Sequence, residues 1–111
     1  MSLADPAAVE ARLDEIEQEL AVTQNALEDA AMAWFRARRE REREAAIAFI
    51  RAEGTAGERK ARADLAVADL EVDGEPVWEL EGKYETLRSK VRVLGDRAAI
   101  GMSVLKAQGR A

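Results

Sequence analysis

Two rows of apolar side chains, matched in length and rhythm, constrain this chain more than any other feature. One row reads Val9, Leu13, Ile16, Leu20, Thr23, Leu27, Ala30, Trp34, Ala37. The other reads Val77, Leu80, Tyr84, Leu87, Val91, Leu94, Ala98, Gly101, Leu105. Each alternates steps of three and four over 28 positions. That spacing holds a row on one face of a helix and offers it to a facing helix. The expected fold class is all-α: a long, coiled-coil-like antiparallel helical hairpin with a break at 73–76. A three-helix bundle is the alternative.

The punctuation of the chain places the elements. Asp5 before Pro6 is a helix start, a capping carboxylate followed by proline in the first turn. No glycine or further proline interrupts the chain from there to Glu53, so the first helix is expected over about 5–53. At 1.5 Å per residue such a helix is about 70 Å long. Gly54 stops it. Thr55 and Glu58 then match a capping box and open a second helix over about 55–72, with Ala61, Leu65, Ala68 and Val72 on one stripe. Asp73-Gly74-Glu75-Pro76 breaks it, and a third helix follows over about 76–108, before Gly109. The whole chain, 1–111, is read as a single helical domain.

If the chain reverses only at 54–57, the two seams lie antiparallel and opposed residue numbers total a constant. Val9 with Leu105 and Ala37 with Val77 both total 114. This register sets Trp34 beside Trp78 or Leu80, with both tryptophans as core anchors, and Phe49 beside Leu65. Charge agrees with it. Residues 1–30 carry a net −7 and face 86–111 at +5, while 31–62 at +4 face 63–85 at −7. Flanking charges of this kind set orientation and register in coiled coils. Each exposed pair is worth only a fraction of a kcal/mol, so the pattern bears on specificity more than stability.

Composition narrows the chemistry. The chain has 35% charged and 5% aromatic residues, which suits long helices with narrow seams rather than a thick core. A two-helix object buries little per residue, so self-association or a helical protein partner is expected. The net charge of −5 disfavours bulk attraction to nucleic acid or anionic lipid. There is no cysteine for disulfide or thiol chemistry, and no histidine for metal binding or general base work. No apolar run approaches the ~18 residues of a membrane span, and the N-terminus lacks the pattern of a signal peptide. The carboxylates form no Glu-x-x-His motif, so no metal, no cofactor and no catalytic residues are expected, and the protein is read as non-enzymatic.

Three clusters remain as candidate sites. Arg36, Arg38, Arg39, Arg41 and Arg43 follow Trp34 and Phe35, an arrangement that could grip phosphates and stack bases. The interleaved glutamates, and Glu71, Asp73, Glu75 and Glu79 opposite, favour internal pairing instead. Arg51, Arg59, Lys60 and Arg62 flank the 54–57 turn, where helix N–H groups favour anions, although Glu53, Glu58 and Asp64 dilute the charge. Ala45 to Ile50 is an unbroken apolar block, too wide for one stripe, just past a soft stretch where Arg41 and Glu44 occupy seam positions. Its residues Ala46, Ile47, Phe49 and Ile50 are the candidate partner contact.

The stretch Glu58-Arg59-Lys60-Ala61-Arg62-Ala63-Asp64-Leu65-Ala66, with Leu87-Arg88-Ser89-Lys90-Val91-Arg92-Val93-Leu94-Gly95 and Ser103-Val104-Leu105, resembles small helical proteins of tailed phages and prophages. The resemblance spans roughly residues 35–108. It implies a phage accessory protein, some members of the group sitting among replication and recombination genes, and it transfers no catalytic residue. A secreted hairpin family with a Trp-x-Gly turn does not fit, because Trp34 is followed by Phe35-Arg36 within a helix. Prefoldin-like chaperones share the hairpin, but no β-hairpin signal is read between the helices. The expectation is a cytoplasmic scaffold or adaptor, acting in the host cytosol if phage-encoded. The alternative is a nucleic-acid accessory factor in replication or recombination, binding DNA through the arginine-rich helix and basic tip.

Overall fold

The structure, a computed structural model, describes residues 5–109. Arg110, counted above among the basic groups, lies outside them. Helix α1 runs Pro6–Arg51 and α2 runs Ala56–Val67. Two short strands follow, β1 (Glu71–Val72) and β2 (Glu75–Pro76), and α3 runs Val77–Ala107. The architecture is the all-α hairpin type, with α3 packed antiparallel on α1.

Local chemistry explains the boundaries. Asp5 caps α1, its Oδ1 accepting the Ala7 N–H at 3.3 Å while its carbonyl accepts the Val9 N–H at 3.0 Å. Thr55 caps α2, its hydroxyl oxygen accepting the Glu58 N–H at 3.2 Å while the hydroxyl lies 3.2 Å from Glu58 Oε1. Gly54 between the helices has φ 114, a backbone conformation that L side chains rarely adopt, which accounts for glycine at this turn. Past α3, the Gly109 N–H bonds the Lys106 carbonyl at 3.0 Å with φ 74, a glycine stop.

The break at 73–76 corrects two expectations. α2 ends at Val67, not near 72, and a β-hairpin does lie between the helices. Glu71 pairs with Pro76 and Val72 with Glu75, antiparallel. Asp73 (φ 54) and Gly74 (φ 81) both take positive φ, as a two-residue type I′ turn requires. The Asp-Gly dipeptide is the signal. The Val77 N–H bonds the Leu70 carbonyl at 3.0 Å, closing the excursion at the start of α3.

The chain divides into two compact units: one of residues 1–28 with 85–111, the other of 29–84. In the first, Leu13 meets Gly101 and the Glu19 carboxylate meets Lys90 Nζ at 3.4 Å, an antiparallel pairing. Leu13, Ile16, Leu94 and Leu105 are its buried apolar residues. Thr23 is buried in the same seam because its hydroxyl donates to the Glu19 carbonyl at 2.7 Å. In the second unit, Trp34, Ala37, Val77 and Leu80 form the core cluster, with Ala33, Leu70, Val72 and Tyr84 packed against it. Leu13 with Gly101, and Trp34 with Leu80, both keep the total of 114. Every residue of the two predicted seams is buried or half-buried.

Three side-chain placements differ from expectation. Trp78 is 61% exposed, so Trp34 alone of the pair anchors the core, beside Leu80. On α2 the inward stripe is Arg59, Ala63 and Val67, not Ala61, Leu65 and Ala68, and Leu65 is 78% exposed. Phe49 therefore meets Arg59 rather than Leu65: the guanidinium stacks 4.4 Å from the ring centroid, and Nε–H donates to the Phe49 carbonyl at 3.1 Å. The arginine side chain covers the aromatic ring, and Ala63 is buried on the same face of α2.

Candidate interaction surfaces

The basic candidates all lie in the second unit, and the structure separates those with internal work from those without. Arg36 pairs with Asp73 at 3.4 Å, tying α1 to the β-turn. Arg38 pairs with Glu42 at 3.2 Å along the helix. Arg41 is half-buried, its guanidinium 5.3 Å from the Trp34 ring centroid and 3.7 Å from Glu81. Arg39 and Arg43, one helical turn apart, are exposed and make no ion pair among the described residues. Three of the five arginines thus have an internal acidic partner, Asp73, Glu42 and Glu81; of the opposing acids named from the sequence only Asp73 is among them.

Near the turn, Arg59 is held against Phe49 and Lys60 pairs with Asp64 at 3.2 Å. Arg51, at the C-terminus of α1, and Arg62 are exposed and make no ion pair among the described residues. A cation at a helix C-terminus complements the exposed carbonyl dipoles, which gives Arg51 a local reason to be there. The tip therefore presents two engaged and two unengaged cations.

The apolar block divides as well. Ile47 and Phe49 are half-buried, Phe49 partly under Arg59, while Ala46 is exposed and Ile50 is 73% exposed. A hollow of about 360 Å³ elsewhere in this unit is lined by Arg41, Asp64, Val67, Ala68, Val77 and the exposed Trp78. Trp78 is a surface residue that sequence reasoning placed in the core.

The first unit holds a surface not among the candidate residues. A groove of about 370 Å³ is bounded by Ala8, Val9, Arg12, Leu13 and Ile16 on α1 and by Arg97, Ile100 and Gly101 on α3. Its walls are mostly hydrocarbon. A Cβ on Gly101 would stand 3.2 Å from Leu13 Cδ1, so the glycine sets how closely the helices approach there. Ile100 beside it is 64% exposed. The signal was present: Val93, Arg97, Ile100 and Val104 form a second three-four row one flank away from the seam.

Among the described residues no group of three or more acidic side chains is placed to hold a metal ion, and no helix is long and apolar enough to cross a membrane. No family model matches the chain, and no curated protein or solved structure matches it either.

Proposed function

We propose that this protein is a non-enzymatic helical scaffold or adaptor that self-associates or engages another helical protein. On the resemblance above it is a phage-type protein acting in the cytoplasm, that of the host if phage-encoded. The observation that carries the reading is the thinness of the core. Among the described residues no large side chain is less than 2% exposed, whereas Val22, Met32, Ile50, Leu65, Trp78 and Ile100 are all more than 60% exposed. Single rows of side chains between helices leave every seam open on its flanks, and association is the ordinary way such surfaces leave water. Sedimentation velocity at tens of micromolar tests it. An associated species is expected, and a strictly monomeric one removes the self-associating form of the reading.

The second reading, a nucleic-acid accessory factor, draws its support from Arg39, Arg43, Arg51 and Arg62, which no ion pair occupies among the described residues. Its test is a salt titration of single-stranded and duplex DNA binding. Binding that weakens steeply with salt, and that falls when these four arginines are reversed to glutamate, favours it. Arg59 is a poor choice for that experiment because its loss also uncovers Phe49. Absence of binding at low salt removes this reading.

A further inference from the structure

We propose that the grooved face of the first unit is covered by a second copy of this chain, α1 of one copy lying over α3 of the other in a four-helix bundle. This rests on the self-association reading above and says which surface performs it.

The face is defined by contacts on one side of the helix pair. The groove brings Ala8 and Arg12 of α1 to the same side as Arg97 and Ile100 of α3, and the Glu19–Lys90 pair lies on that side too. Helical periodicity extends the α1 row through Glu15 and Glu19 to Val22, and the α3 row from Lys90 through Val93, Arg97 and Ile100 to Val104. Val22, Val93, Ile100 and Val104 are all exposed. Both rows keep the three-four spacing of a helix that meets a partner. One flank of the unit is therefore patterned like a seam and has nothing against it.

Charge and height identify the occupant. The α1 row carries Arg12, Glu15 and Glu19, net −1, with Arg12 and Glu15 paired at 3.0 Å and Glu19 3.4 Å from Lys90. The α3 row carries Lys90 and Arg97, and Arg97 makes no ion pair among the described residues. In the observed register Arg97 stands level with residue 17, between Glu15 and Glu19. Ile100 stands level with the groove it borders. A two-fold axis parallel to the helices preserves height and exchanges α1 for α3. It sets Arg97 of each copy against Glu15 and Glu19 of the other, and Ile100 of each copy into the other's groove. The face is complementary to itself under that one operation. Placing α1 over α1 instead would oppose like-charged rows.

Sedimentation, charge reversal and crosslinking test this together. Unmodified protein is expected to sediment as a dimer at tens of micromolar. Ile100→Glu, at an exposed position, is expected to sediment as a monomer that is still helical by circular dichroism. Arg97→Glu is expected to weaken dimerisation tenfold or more, and mixing it with a Glu15→Arg/Glu19→Arg chain is expected to restore a mixed dimer, a rescue that no folding defect would produce. For orientation, Val22→Cys chains mixed with Val93→Cys chains are expected to crosslink under mild oxidation, while Val22→Cys chains alone are not. If Ile100→Glu stays dimeric, or Val22→Cys chains crosslink to themselves, the assignment of this face is wrong and self-association stands. If the unmodified protein is monomeric, both fall.

Discussion

Trp34 and Trp78 carry the same indole into opposite environments. Trp34 is 6% exposed among Ala37, Val77 and Leu80, with the Arg41 guanidinium over its ring. Replacing it by alanine removes a large buried surface and leaves a void that the thin core has few neighbours to fill. Trp34→Ala is expected to cost about 3–5 kcal/mol. Trp78→Ala, at a surface position, is expected to cost less than about 1 kcal/mol. Urea unfolding of the two variants checks the contrast, and comparable losses would mean that Trp78 supports the core after all. Arg59 makes a related point at the same scale. Its planar head does the covering that an aliphatic residue does elsewhere, so a half-buried charged residue can belong to an inward stripe.

At the scale of elements, the β-turn and the helix pairing carry separable predictions. Gly74 stands at φ 81, and a Cβ added there would have nothing within 4 Å, so Gly74→Ala tests backbone strain alone. It is expected to destabilise by about 1 kcal/mol or more. Gly82, inside α3 and equally open, is the converse: Gly82→Ala is expected to stabilise by about 1 kcal/mol through helix propensity. Thermal unfolding of both variants reads the opposite signs. For the α1–α3 pairing, a Cβ at Gly101 would lie 3.8 Å from Leu13 Cβ, a separation that suits a disulfide. Leu13→Cys with Gly101→Cys is expected to crosslink within one chain, and a helical protein that fails to do so refutes the register.

These elements also show what is legible in the residues and why. The two seams are legible to the residue because a strict three-four rhythm over many turns admits one face only. The caps at Asp5, Thr55 and Gly109 are legible because each orphan backbone group calls for a particular side chain or a glycine. The β-turn is legible only through Asp73-Gly74, because strands of two residues are too short to show a period. On α2, hydropathy prefers Leu65 to Ala63, but the fold buries Ala63 and leaves Leu65 exposed. Among the candidate sites, the arginine run could be located but not sorted. Whether Arg36, Arg41 or Arg59 has a partner depends on acids and rings that the fold brings near, and no local pattern encodes that.

For the molecule as a whole, stability and association are linked. A protein whose seams are open on their flanks gains stability from whatever binds the folded form, so its apparent Tm is expected to rise with protein concentration. Scanning calorimetry over a tenfold or wider range checks this, and a constant Tm would indicate that the chain folds without help from a second copy. The division into units has a further consequence. The second unit, 29–84, is contiguous, whereas the first joins residues 1–28 to residues 85–111. During synthesis the early half of that unit must wait for its complement. At ~5–20 residues per second, the row from Val9 to Leu27 stays uncovered for roughly 4–20 s until Leu105 is made. Chains emerging side by side on one message meet in that interval with identical open rows. Closure of the first unit therefore waits on α3, which is made last of its helices.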